Sequence, residues 1–232
     1  MDLESNLICG AEALARWRHP ELGTVSPARF IPLAEETGLI VPIGDWVLRT
    51  ACAQASAWTR MGLGPVRISV NISARQFRQP DLPGAVEAAL RDTGLNAGDL
   101  ELELTESIIM QDIEHVIGVM RELKSMGVML AIDDFGTGYS SLSYLKRFPV
   151  DRLKIDQSFV RDIITDRDAQ GIVQAVISLG QTLDMRIIAE GVETAEQRDI
   201  LAERGCHEIQ GYLIARPMPA EDFTDFFRKR TT

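Results

Sequence analysis

The chain has 232 residues, and its 34 acidic against 24 basic side chains give a net charge of −10, which argues against a nonspecific DNA binder or an anionic-membrane binder unless cations intervene. Its length is close to the roughly 250 residues typical of α/β barrels, so one domain spanning 1–232 is expected. Cys9, Cys52 and Cys206 lack CxxC spacing, no apolar run approaches about 18 residues, and no basic-then-apolar leader is present. The expectation is therefore no disulfide framework, no thiolate zinc site, no membrane contact from this segment and a cytoplasmic setting, possible attachment to a membrane lying in other parts of a larger protein.

Six short segments read as buried strands, each with a polar or charged residue at or near its end. Ile8 to Ala11 leads into Glu12, after which Thr24 to Pro32 carries loop signals. Val66 to Val70 leads into Asn71, and Leu95 to Asp99 reads as a helix start. Leu100 to Leu104 contains Glu103. Ile113, Val116, Met120, Leu123 and Met126 recur at helical spacing, with Gly127 as the stop. Val128 to Ile132 leads into Asp133 and Asp134, and Arg152 to Ile155 contains Lys154. Ile172, Val176 and Leu179 to Leu183 repeat the helical spacing before Arg186 to Ala189, which leads into Glu190. Lys229-Arg230 reads as a solvated helix end.

Side chains alternate along a strand, so Val66, Ile68 and Val70 oppose Asn71, Leu100, Leu102 and Leu104 oppose Glu103, and Val128, Leu130 and Ile132 oppose Asp133. The candidate site residues from Asn71 to Gln210 follow one another at intervals matching a strand plus a crossover helix. An open doubly wound sheet gathers its site at one switch point, whereas a barrel draws on the C-terminal ends of many strands. Six contributing strands favour the barrel.

Glu12, Glu103, Asp133, Asp134, Glu190 and Glu193 brought together would repel one another and take up protons unless divalent cations compensate them. Carboxylates and an Asn carbonyl are hard donors that suit Mg²⁺ or Mn²⁺, and the scattered His19, His115 and His207 weigh against zinc. A shared Asp133 suits two ions about 3.5–4 Å apart, an arrangement used in phosphodiester hydrolysis. Lys154 would then hold the attacking water or a phosphate oxygen.

Seven motifs in order carry a family resemblance: Gly10-Ala11-Glu12-Ala13-Leu14 with Arg16 and Trp17, Val70 to Ser73, Glu103 to Glu106, Asp133 to Ser141, Lys154-Ile155-Asp156, Glu190 to Glu193, and Gln210-Gly211-Tyr212. Together they resemble the EAL-domain cyclic-di-GMP phosphodiesterases. The resemblance implies a modified TIM-type (β/α)8 barrel that hydrolyses cyclic di-GMP to linear pGpG using two divalent cations, with Ca²⁺ binding but supporting little turnover. It implies Glu12, Asn71, Glu103 and Asp133 as ligands of one cation, with Asp133 shared and Asp134 serving the second. Lys154 would orient the water, and Glu190 would be its general base or a cation-side partner. Leu14, Arg16, Glu193 and Gln210 would serve substrate binding, with Arg16 on the strand face of Glu12. A homodimer through the loop 134–141 is also implied, that loop linking dimerisation to the site. The substrate is the dinucleotide and not a nucleic acid polymer.

Blander readings stand beside these. Asn71-Ile72-Ser73 fits a helix cap as well as a ligand loop, Asp133 to Gly136 fits a strand-ending turn, and Trp17, Trp46 and Trp58 fit packing positions. Family members usually begin with a helix and a strand that pairs beside Glu12, and this chain starts after them, which predicts an open edge there. Two other functions are compatible with the sequence: a cyclic-di-GMP receptor with weak or no turnover, and an unrelated metal-dependent barrel lyase.

Overall fold

The computed structural model describes residues 1–109, 112–137 and 142–231. A short strand β1 (Gly10–Ala13) is followed by the hairpin β2 (Trp17–His19) and β3 (Gly23–Val25), then by α1 (Pro27–Thr37) and α2 (Ile40–Arg60). Thr24 to Pro32 is thus no plain loop: Thr24 and Val25 close the hairpin and Pro27 opens a helix, where its missing N–H costs nothing.

From there strand and helix alternate. β4 (Arg67–Asn71) is followed by α3 (Ala74–Phe77) and α4 (Leu82–Thr93), and β5 (Leu100–Thr105) by α5 (Glu106–Ile109) and α6 (Ile113–Ser125). The chain continues through β6 (Met129–Phe135), α7 (Leu142–Leu145), β7 (Arg152–Ile155), α8 (Gln157–Arg161) and α9 (Arg167–Thr182). It ends with β8 (Arg186–Ala189), α10 (Ala195–Glu203), β9 (Glu208–Ile209) and α11 (Ala220–Thr231). α6 stops where expected, with Gly127 at φ 90°, a conformation costly for any residue with a Cβ. Trp58 is buried against Phe223 of α11, whereas Trp46 is 61% exposed and fills no core position.

Seven strands form one parallel sheet in the order β1-β4-β5-β6-β7-β8-β9. Leu100, Leu102, Leu104, Leu130, Ile132, Leu153 and Ile187 are fully or nearly fully buried between the sheet and its helices. Each such side chain contributes about 1.5–3 kcal/mol relative to exposure. The sheet curls so that side chains link its two end strands, which share no backbone ladder among the described residues. Gln210, just after β9, donates to Glu12 of β1 at 2.5 Å, and the Cys9 thiol lies 3.4 Å from Glu208. At the opposite end of the barrel, Met1 to Leu3 lies antiparallel to β9 through the Asp2–Glu208 bridge, while the Asp2 amide donates to the Leu7 carbonyl. The edge predicted to be open beside Glu12 is thus partly covered: Met1 to Leu3 pairs by backbone with β9, and a side-chain bond links β9 to β1 at the level of Glu12.

The barrel interior has two storeys. The lower one is an ion-pair network: Arg152 pairs with Glu101 at 2.6 Å and lies 3.5 Å from Glu208, Arg67 pairs with Glu208, and Arg186 joins Glu208 at 3.0 Å. Ser69 adds a hydrogen bond to Glu101 at 2.7 Å. Burial penalises the Glu208 carboxylate, but Arg67 and Arg152 outweigh this and hold its pKa down at about 2. The upper storey contains the candidate site.

Candidate active site

Every upper-storey side chain leaves the C-terminal end of a strand, where parallel α/β barrels place their functional groups. Register aligns them: Asn71 lies beside Glu103, and Thr105 beside Asp133. Lys154, on β7, is at the centre. Its ammonium is 2.6 Å from Glu190, 2.7 Å from Glu103 and 3.2 Å from Asp133, and the side chain is 1% exposed. On the seam side, the Asn71 amide nitrogen donates to Glu12 at 2.6 Å and Gln210 donates to the other Glu12 oxygen. With its nitrogen so engaged, Asn71 has its carbonyl oxygen as the atom to offer a cation.

Asp133 and Asp134 are consecutive in β6, and regular alternation would turn them to opposite faces. A bulge prevents this. Ile132 pairs with Leu153 and Phe135 with Ile155, so β6 spends one extra residue against β7. Asp134 sits at φ 54°, a left-handed conformation that Asp tolerates better than bulky residues. As a result, carboxylate oxygens of Asp133, Asp134 and Glu190 lie within 4.8 Å of one another.

Proton affinities record the crowding. Burial raises the Glu190 pKa to about 7, with Lys154 opposing and Asp133 reinforcing. Burial also raises Asp134 to about 6, helped by Asp133 and by Asp156, which shares a hydrogen bond with it. Glu103 is pushed well above the usual carboxylate range by burial, against the pull of Lys154. Burial opposes the charge on Lys154, yet Glu103, Glu190, Glu12 and Asp133 outweigh it and hold its pKa well above normal. Lys154 is accordingly a permanent cation here and a hydrogen-bond donor, not a base.

These residues fit divalent cations. The donors are all oxygen, they converge from several strands, and their raised proton affinities show negative charge without sufficient protein compensation.

Of the sequence-derived residues, the structure joins Glu12, Asn71, Glu103, Asp133, Asp134, Lys154, Glu190 and Gln210 into this cluster. Leu14 is 43% exposed beyond the end of β1. Arg16 also lies past the strand, so it does not share a strand face with Glu12, and its guanidinium donates to the Ala15 carbonyl at 3.0 Å. The Glu193 side chain is exposed, and its backbone amide is held by Gln197 at 2.8 Å. Gly138 to Ser141 of the expected dimerisation loop lie outside the described residues. Asp156 is an addition to the site from the Lys154-Ile155-Asp156 motif, and the capping glutamines Gln76 and Gln197 left only a [ST]-x-x-Q signal in the sequence.

The EAL domain family model matches residues 1–217. This chain belongs to the EAL domain family. It is 50% identical over 217 residues to a signalling protein of Caulobacter vibrioides, covering 94% of this chain and 26% of the relative. It is 49% identical over 212 residues to the bifunctional diguanylate cyclase/cyclic di-GMP phosphodiesterase MucR of Pseudomonas aeruginosa, covering 91% of this chain and 31% of MucR. The chain thus spans about a quarter to two fifths of the length of the curated relatives it matches. Among solved structures it superposes on the MucR phosphodiesterase in complex with c-di-GMP with a TM-score of 0.90 at 48% identity, over 93% of this chain and 87% of that one. Among the described residues no helix is long and apolar enough to cross a membrane.

Proposed function

We propose that residues 1–232 form one cytoplasmic EAL domain that hydrolyses cyclic di-GMP to linear pGpG with two divalent cations, Mg²⁺ or Mn²⁺. The carrying observation is the convergence of Glu12, Asn71, Glu103, Asp133, Asp134 and Glu190 around Lys154 at one end of the barrel. The MucR structure with c-di-GMP supports the choice of substrate.

In this reading Glu12, Asn71, Glu103 and Asp133 hold one cation, and Asp133 with Asp134 holds the second. When bound, the cations supply neutralisation of the phosphodiester charge and a lowered water pKa. The residues of the chain do the rest. Lys154, a fixed cation, orients the attacking water and stabilises negative charge on oxygen. Glu190, with a pKa near neutrality, receives a proton from that water on its carboxylate, which Lys154 holds in place. Gln210 and Asn71 lock the two oxygens of Glu12 in place. Leu14, Arg16 and Glu193, at the mouth, contact the dinucleotide. A homodimer through the 134–141 loop couples assembly to Asp134.

The test is incubation of the purified chain with cyclic di-GMP and Mg²⁺ or Mn²⁺, with and without chelator, followed by chromatography of the nucleotides. Chelator-sensitive appearance of pGpG is expected. Tight binding without product would make the chain a receptor, and neither binding nor product would remove the substrate.

A further inference from the structure

The loop that carries Glu190 is fastened to the neighbouring strand-helix unit at three points. The Glu190 amide donates to the Ile155 carbonyl at 3.1 Å. Gly191, at φ 68°, lies so close to α8 that a Cβ there would come within 2.6 Å of the Gln157 Cβ. The third fastening is Gln197, in the first turn of α10 and 5% exposed. Its Oε1 accepts from the amides of Glu193 at 2.8 Å and Thr194 at 3.0 Å, and its Nε2 donates to the carbonyls of Val160 at 3.1 Å and Arg161 at 3.4 Å.

Half of this arrangement is ordinary helix capping. Thr194 accepts from the Gln197 amide while Gln197 returns a bond to the Thr194 amide, and Ser73 with Gln76 repeats the device after β4. The other half is not required for capping. A capping box uses only the side-chain oxygen, whereas here the side-chain nitrogen reaches a different helix and donates to carbonyls at the C-terminal end of α8. That helix begins at Gln157, three residues after Lys154. Gln197 therefore touches neither Lys154 nor Glu190 but joins the two segments that carry them.

We propose that Gln197 is a positioning residue for the reaction, clamping the 190–194 loop to the end of α8 and so fixing Glu190 against Lys154. This rests on the reading of Lys154 and Glu190 as reacting groups. Two replacements break the clamp differently. Gln197→Met removes both halves, whereas Gln197→Glu keeps acceptor oxygens for the Glu193 and Thr194 amides and loses the donor to Val160. Thr194→Ala is the control, because it weakens the same cap and leaves the bridge to α8 intact.

Steady-state hydrolysis of cyclic di-GMP in Mg²⁺ is expected to show kcat lowered about tenfold or more in both Gln197 variants with KM within about twofold, and Thr194→Ala near wild type. Equal loss of kcat in Thr194→Ala and Gln197→Met would assign the effect to the cap and overturn the proposal, as would unchanged kcat in Gln197→Glu. Hydrogen exchange without nucleotide judges the clamp separately. Residues 190–194 and 157–161 are both expected to exchange faster in Gln197→Met, but only the start of α10 in Thr194→Ala. Unchanged exchange over 157–161 would overturn the clamp. A wild-type chain that leaves cyclic di-GMP intact would instead defeat the functional reading, with the exchange result still deciding the clamp.

Discussion

The Lys154 ammonium lies 2.6 Å from the Glu190 carboxylate, in a position where the lysine side chain is almost completely buried. Neither group is free to act alone: the lysine keeps its proton because of its acidic neighbours, and Glu190 stays near neutrality despite its burial because Lys154 is there. Lys154→Met would leave Glu103, Asp133 and Glu190 facing one another without a cation. Turnover of cyclic di-GMP should fall at least about 100-fold, on the scale of losing one preorganised catalytic group. Initial rates with Mg²⁺ at saturating substrate check this, and a loss of less than tenfold would remove Lys154 from the chemistry.

The carboxylates are predicted to be individually indispensable. Glu12→Ala, Asp133→Asn and Glu190→Gln should each lower kcat by at least about 100-fold. Near-wild-type kinetics in any one of them would take that residue out of the mechanism.

Stability of the cation-free protein should depend on pH in a defined direction. Glu190 and Asp134 have folded pKa values of about 7 and about 6, above their unfolded values, so their contribution is fully present below about 4.5 and 3.8 and is lost as pH rises through 6 and 7. Thermal unfolding in chelator should therefore give a Tm that falls between pH 5 and pH 8 at these sites. Mg²⁺ or Mn²⁺ should reverse the trend and release protons on binding near pH 7, which calorimetry in buffers of different ionisation enthalpy will register. Binding without proton release would show that the cations do not reach Asp134 and the neighbouring Glu190.

The lower storey predicts the opposite sign. Glu208 has a folded pKa of about 2 against 4.5 ordinarily, so it stabilises the fold above about 4.5, and that contribution is lost as pH falls through 2. Arg152→Met leaves Glu101 buried beside Ser69 without its close cation. Breaking such a pair costs about 3–5 kcal/mol, which urea unfolding at pH 7 will measure. A cost below about 1 kcal/mol would show that the network is dispensable.

Assembly offers a further check. If the 134–141 loop couples dimerisation to Asp134, dimer fractions from size exclusion should show higher specific activity than monomer fractions. Equal activity would sink the coupling.

Much of this site was legible in the sequence because strand periodicity is a strong signal: Leu100, Leu102 and Leu104 point out to helices, so Glu103 must point in. Asn71 and Asp133 follow in the same way, whereas Glu12, Lys154 and Glu190 were marked by strand ends and by the family motifs. Alternation fails at Asp134, because it cannot announce an extra residue in β6, and only the bulge explains how neighbouring acids share a site. Arg16 was misplaced for a related reason, since β1 ends at Ala13 before the alternation reaches it. The hairpin of β2 and β3 and the two-residue β9 are too short to carry a period. Gln197 stayed hidden as a clamp because its second pair of bonds is to residues about 36 positions away, a distance invisible to local patterning.

The two-storey interior separates the charges that folding uses from those that chemistry uses. Below, Arg67, Arg152 and Arg186 answer Glu101 and Glu208; above, Glu103, Asp133 and Glu190 share the ammonium of Lys154, with Glu12 and Asp134 close by. A library screened only for heat resistance should therefore enrich neutral replacements such as Asp134→Asn, which relieve the upper storey while leaving the left-handed turn intact. Such winners would be well-folded and inert, so selection on this scaffold must score turnover alongside thermal survival.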